Sequence, residues 1–229
     1  TATTERSRTF LFCHPHNPIG TIFSRPELER FAEYCLRHEL VACSDEIHCD
    51  LLLEESASHL PLAAVSPEIA EKTITLMAPS KTFNLPGFGC SFAIIPNSNL
   101  RIKYKKSCAG IVPDPTAMSF TLAEAAYRHG EPWRQRLLAY LRGNRDFALE
   151  RLRAIPGLHP YPVSATYLLW MDARGLDLNN PHKFFEDAGV GLSNGADFGT
   201  PGFLRLNFGC TRTLLEQALD RMEQAVSEL

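Results

Sequence analysis

The chain of 229 residues has no apolar run long enough to span a bilayer, no block of basic residues, no C-x-x-C pair and no internal repeat. A membrane-crossing helix needs about 20 apolar residues in succession, so none is expected. A net charge of −3 without a basic patch argues against nucleic acid or an anionic membrane as partner. No basic-then-apolar leader opens the sequence, so we expect no signal peptide. The 7 cysteines, Cys13, Cys35, Cys43, Cys49, Cys90, Cys108 and Cys210, are odd in number. They suit reduced thiols in a cytoplasmic protein better than a disulfide framework or a zinc knuckle. A starting methionine is missing too, which raises the expectation of a truncated or processed chain.

What is present is an ordinary globular composition, 45% hydrophobic and 21% charged, enough for a sizeable core in one or two domains. Arg8–Cys13 is a short run of strand formers. Ser24, with Glu27 three residues on and Pro26 between them, opens a helix that buries Leu28, Phe31, Ala32 and Cys35. Val41–Ser44 is the next strand, and strand, helix, strand predicts a right-handed parallel crossover. Thr73–Ala78 and Cys90–Ile95 are further strands. From Thr116 the pattern turns helical. One helix runs to His129 and is capped by Gly130; a longer one runs from Pro132 to about Arg153, with Leu137, Leu141, Ala148 and Leu152 inward. Ala165–Met171 and Phe203–Asn207 read as strands of a smaller region. Thr213 and Glu216 form a second capping box, before a final helix with Leu215, Ala218, Leu219, Met222 and Val226 inward. We expect an α/β chain, with residues 1–130 in a large domain, 131–155 as a linking helix and 156–229 as a small α+β domain.

In open parallel sheets, ligands gather beyond the carboxyl ends of the strands. Three such ends carry polar groups here. They are His14-Pro15-His16-Asn17-Pro18-Ile19-Gly20, then Ser44-Asp45-Glu46-Ile47-His48-Cys49-Asp50, then Pro79-Ser80-Lys81-Thr82-Phe83-Asn84. Singly, each has a plain structural explanation. Asn-Pro-x-Gly is a good turn sequence. Asp45 and Glu46 could cap the following element, and a lysine after a strand is usually solvated. Together, they offer an amide, a carboxylate and a lysine that could converge on one crevice.

That ordered set resembles the fold-type I pyridoxal-phosphate enzymes, the aspartate aminotransferase superfamily, over essentially the whole chain. Within it, HNPIG, SDEIHCDL, APSKTFNLPG, AEAAYRHGEPW, ATYLLWMD and GADFGTPGFLRLNFG are most similar to the MalY/PatB-type carbon–sulfur lyases, also called cystathionine β-lyases. The resemblance implies part of that family's large domain, a mostly parallel sheet with helices on both faces, followed by the small C-terminal domain. It implies pyridoxal 5'-phosphate as cofactor, with Lys81 as its covalent anchor and as the base that takes the substrate α-proton. Asp45 would pair with the ring nitrogen and keep it protonated. Asn17 would contact the phenolic oxygen. His48 stands where many aminotransferases carry a tyrosine for that same oxygen, and leans toward the lyase subgroup. Ser80 would reach the phosphate, and Arg205 would grip the substrate α-carboxylate as a fork.

Two departures bear on this. Aminotransferases commonly carry a phosphate-binding arginine eight residues after the lysine, where this chain has Gly89. That favours the lyase subgroup. The family's glycine-rich phosphate turn, ring-stacking aromatic residue and N-terminal arm have no counterpart before Asn17, so a C-terminal fragment with poor cofactor binding is expected. The implied reaction is α,β-elimination from an S-substituted cysteine, giving thiol, pyruvate and ammonia, in a homodimer. One alternative is a class I/II aminotransferase. Another is a catalytically incomplete fragment with a binding or regulatory role. A hydrolase metal site on His14, His16, Asp45, Glu46 and His48 is a third, although it leaves Lys81 and Arg205 unexplained.

Overall fold

The computed structural model describes residues 3–229. Its first sheet contains β1 (Thr9–Cys13), β2 (Val41–Asp45), β3 (Thr73–Met77) and β4 (Phe92–Ile94), in that spatial order. β2 pairs parallel with both β1 and β3, whereas β4 runs antiparallel to β3. Cys13 lies opposite Asp45, and Asp45 opposite Leu76, so the three parallel strands end level. α1 (Arg25–Arg37) makes the expected crossover from β1 to β2. The Glu27 carboxylate accepts the Ser24 N–H at 2.7 Å, which closes the start of the helix. Leu28, Ala32 and Cys35 of α1 pack on Phe12 and Ala42 of the sheet. α2 (Pro67–Ala70) precedes β3, and α3 (Ser98–Cys108) follows β4. Sequence reading misses α3 because it buries no residue and so shows no apolar period.

α4 (Ala117–His129) and α5 (Glu131–Ala154) form as expected, with Gly130 between them. The second sheet comprises β5 (His159–Pro160), β6 (Leu168–Asp172), β7 (Ser193–Asn194) and β8 (Phe203–Asn207), in the order β5-β6-β8-β7 and antiparallel throughout. α6 (Pro181–Asp187) and α7 (Arg212–Ser227) complete the chain. Two expectations are corrected. β6 begins at Leu168 rather than Ala165, because Thr166 adopts a positive φ of 71° and turns the backbone. α7 is capped by Thr211, not Thr213; the Thr211 side chain accepts the Leu214 N–H, while Thr213 already lies inside the helix. On α5, Leu141, Ala148 and Leu152 are buried as expected and the half-buried Leu137 packs against the same core.

The chain divides into two compact units, the division falling after Arg134 within α5. One holds β1–β4 and α1–α4. The other holds the second sheet, α6, α7, the rest of α5 and two short segments, His16–Thr21 and Leu51–Glu55. Each unit has its own buried cluster; in the second, Leu141, Ala148 and Leu152 of α5 meet Leu169, Met171, Leu215, Leu219 and Met222. Among the described residues, no helix is long and apolar enough to cross a membrane.

Asn144, wholly buried on α5, donates through Nδ2 to the carbonyls of Phe208 and Cys210 at 3.0 and 2.9 Å. Asn144→Leu would keep the branched shape and the heavy-atom count while removing both bonds, so we expect a loss of about 2–4 kcal/mol. Denaturant unfolding measures it, and an unchanged midpoint would contradict the assigned role.

Candidate active site

Asp45 is the last residue of β2. Side chains alternate along a strand, so Ser44 and Glu46 share the buried face and Asp45 takes the other. Asp45 is half-buried and borders a cleft of about 440 Å³ with Leu76, Gly89, Tyr104 and Asp114. The Ile47 N–H donates to its Oδ1 at 3.3 Å. Burial pushes the Asp45 carboxyl above its ordinary range; the Ile47 N–H and the Lys81 ammonium pull it back, and Glu46 adds to the rise. Lys81 thus lies within electrostatic reach of Asp45.

Lys81 sits in a closed turn beyond β3. The Phe83 N–H donates to the Pro79 carbonyl at 2.9 Å, and the Leu85 N–H to the Ser80 carbonyl at 3.0 Å. Asn84 permits this with a φ of 53°. Ser80 and Lys81 are both half-buried in that turn. His48 is buried, three residues beyond Asp45, where the Cys49 N–H closes a turn onto the Glu46 carbonyl.

Asn17, Tyr167, Ser193 and Arg205 belong to the second unit. Asn17 lies in a tight turn in which the His16 N–H donates to the Thr21 carbonyl at 2.9 Å and the Gly20 N–H to the His16 carbonyl at 2.7 Å. The Asn17 Oδ1 accepts Arg205 Nη1 at 2.8 Å. Arg205, half-buried on β8, also donates through Nη2 to Ser193 Oγ at 3.0 Å, and its guanidinium lies 4.8 Å from the ring centre of Phe198. Burial lowers the proton affinity of Arg205, and Tyr167 opposes that. Burial likewise raises the Tyr167 phenol, and Arg205 pulls it down.

Of the residues singled out from sequence, Asp45 and Lys81 meet electrostatically in one unit, with Ser80 beside Lys81. Asn17 and Arg205 touch in the other. Sequence reasoning missed Ser193 and Phe198 as partners of Arg205. Phe198 lies within a quoted motif, but Ser193 reaches Arg205 through the register of a two-residue strand, which leaves no periodic signal. Glu46 is bonded by Ser44, His59 and Leu62. Among the described residues, no three His, Cys, Asp or Glu side chains gather in metal-binding geometry.

Gly20 has a φ of 73°, and a Cβ there would lie 2.8 Å from Val163 Cγ1 and 3.0 Å from the Ala165 carbonyl oxygen. Its own carbonyl accepts the N–H groups of Ser164 and Ala165, each at 2.9 Å. Gly20→Ala should therefore destabilise by about 1–2 kcal/mol from backbone conformation alone, with the clash in addition. A melt matching the parent would contradict this account of the turn.

Residues 1–222 match the family model described as aminotransferase class I and II. Cystathionine beta-lyase PatB of Bacillus subtilis is 37% identical over 225 residues, covering 95% of this chain and 58% of the relative. The crystal structure of OvoB superimposes with a TM-score of 0.97 at 45% identity, covering 99% of this chain and 60% of that one. Cystalysin from Treponema denticola, whose crystal structure contains a pyridoxal 5'-phosphate cofactor, gives a TM-score of 0.90 at 30% identity, covering 96% of this chain and 58% of that one. The chain thus spans about 58% of the length of the curated relatives it matches.

Proposed function

Because the chain belongs to the aminotransferase class I and II family, we propose that it carries the lysine, the ring acid and the carboxylate-binding arginine of a pyridoxal-phosphate-dependent carbon–sulfur β-lyase. The observation that carries the reading is that Asp45, at the carboxyl end of β2, lies within electrostatic reach of Lys81, in the turn beyond the adjacent parallel strand β3. The lyase assignment, with an S-substituted cysteine as substrate, draws on the similarity to PatB, a cystathionine β-lyase. A homodimeric, cytoplasmic protein is part of the proposal; sedimentation checks the dimer.

The residues fit the cofactor. Asp45 is a half-buried acid at the edge of a roomy cleft, with the Lys81 ammonium in reach. A Cβ added at Gly89, on the same cleft, would meet nothing within 4 Å, so that wall leaves room. In this reading Lys81 anchors the cofactor, Asp45 holds the ring nitrogen, Ser80 reaches the phosphate, and Asn17 and His48 contact the phenolic oxygen. When bound, the cofactor supplies an electrophilic aldehyde carbon and a protonated ring that withdraws electrons from the substrate Cα. The Asp45 carboxylate keeps the proton on the ring nitrogen. The Lys81 amine takes the proton from Cα. Arg205 holds the substrate α-carboxylate through its planar fork, which orients the Cα–H bond and the thiol-bearing Cβ.

Borohydride reduction of the holoenzyme followed by peptide mapping should find a pyridoxyl group on Lys81; its absence there would overturn the proposal. Lys81→Ala should lower turnover by about a thousandfold or more. Pyruvate release from an S-substituted cysteine without any keto-acid acceptor is the expected activity, and a strict acceptor requirement would reject the lyase. Arg205→Lys keeps the charge but loses the fork, so KM should rise about tenfold or more with kcat less affected. Equal KM values for both forms would remove Arg205 from substrate binding.

A further inference from the structure

Ser44 and Glu46 flank Asp45 in the chain, and both are wholly buried. Glu46 Oε1 accepts the Ser44 hydroxyl at 2.7 Å and the Leu62 N–H at 3.1 Å. Its Oε2 lies 2.6 Å from His59 Nε2. A carboxylate away from water needs donors of this number. Behind His59 stacks the buried His14 ring, with centroids 4.6 Å apart. The Phe23 N–H points at His14 Nδ1 from 3.4 Å, and burial, with His59 adding to it, lowers the His14 pKa to about 4. The lowered pKa favours a neutral His14, and the ring whose nitrogen faces the Glu46 carboxyl is that of His59.

The peptide that follows Asp45 is tied as well. The Asp45 carbonyl accepts the His14 N–H at 2.9 Å, and the Glu46 N–H donates to the Leu76 carbonyl at 3.0 Å. The Asp45–Glu46 peptide is thus pinned at both ends, to the neighbouring strand segments on either side, while the side chains before and after Asp45 lock together on the far face. Alternation along the strand then leaves Asp45 one direction, toward the cleft.

We infer that Glu46, clamped by Ser44, His59 and the Leu62 amide, is a positioning residue that fixes Asp45 toward the cofactor ring nitrogen and places a second negative charge behind it. The inference deepens the reading of Asp45 proposed above and rests on it. A nearby negative charge favours a protonated ring, so removing it lowers the pH at which the ring nitrogen gives up its proton. The other titratable groups around the pair are Cys43 on β2, Lys81 beyond β3, Cys49 in the following turn, Tyr104 and Asp114 on the cleft, and His14 and His59 at Glu46. Glu46→Gln leaves all of them in place.

The test uses the holoenzyme with a cofactor isotopically labelled at the ring nitrogen, followed by NMR across pH, together with the cofactor dissociation constant. Glu46→Gln should move the ring-nitrogen titration about one pH unit lower and weaken cofactor binding about tenfold. Ser44→Ala keeps the charge but removes one clamp bond. It should leave the titration in place, weaken binding by less, and reduce the visible circular dichroism of the bound cofactor. Parental titration and affinity in Glu46→Gln would overturn the inference and leave Asp45 intact. If Glu46→Gln does not fold, Ser44→Ala decides, since an unchanged dichroism and affinity there would also overturn it. A parent protein that binds no cofactor would instead defeat the underlying reading.

Discussion

Parallel pairing of β1, β2 and β3 is the constraint from which the chemistry of the first unit hangs. Because Cys13, Asp45 and Leu76 stand side by side, the chain leaves each strand at the same edge. The segments carrying His14, Glu46 and Lys81 therefore start level. Parallel strands need crossover connections, and α1 supplies one by burying Leu28, Ala32 and Cys35 on the sheet. Side chains alternate with a period of two, so a slip of one residue in β2 would send Asp45 into the covered face and leave Glu46 at the cleft. The apolar packing of Phe12 and Ala42 under α1 is what forbids that slip.

The same strand end presents two carboxylates in opposite circumstances. Glu46 is sealed from water and collects three donors. Asp45 is half-buried, with the Ile47 N–H on one oxygen and the Lys81 ammonium in reach, and burial outweighs both. Removing a charge from water costs several kcal/mol unless protein donors replace the solvent. Glu46 has those donors and is structurally closed. Asp45 has fewer, and the cleft gives a cationic group room to approach it. Adjacent acids whose surroundings diverge in this way are a recurring sign of divided roles.

Much of this was legible in sequence, and the failures have physical causes. β1, α1 and β2 could be read because a buried helix between parallel strands must show both periodicities. β8 was found residue for residue, since FLRLN is short, apolar and bounded by turn formers. α3 was missed because nothing on it is buried. The cap of α7 was misplaced by two residues because Glu216 gives Thr213 a capping-box pattern that Thr211 lacks, and only backbone geometry shows Thr213 to lie inside the helix. Lys81, Asp45, Asn17 and Arg205 stood out as members of an ordered set. Their supports did not. His59 reaches Glu46 from 13 residues away along a path with no regular structure, and no spacing rule encodes that contact.

The surroundings of Arg205 differ from those of the ion-paired arginines. Some arginines of this chain meet carboxylates, as Arg151 does with Asp220 and Glu223 and Arg145 with Glu54. Those charges are balanced within the protein. Arg205 is half-buried, yet among the described residues its hydrogen-bond partners are the neutral Asn17 amide and Ser193 hydroxyl, with the Phe198 ring beneath. A guanidinium has five N–H donors in one plane. Two neutral acceptors and an aromatic face orient that plane without cancelling its charge, while burial makes an uncompensated cation costly. The α-carboxylate of an amino acid, planar, anionic and able to accept paired N–H bonds, has the shape and charge that the proposed role of Arg205 calls for. The neutral surroundings of Arg205 thus support the proposed carboxylate-binding role independently of Lys81 and Asp45, which belong to the other unit.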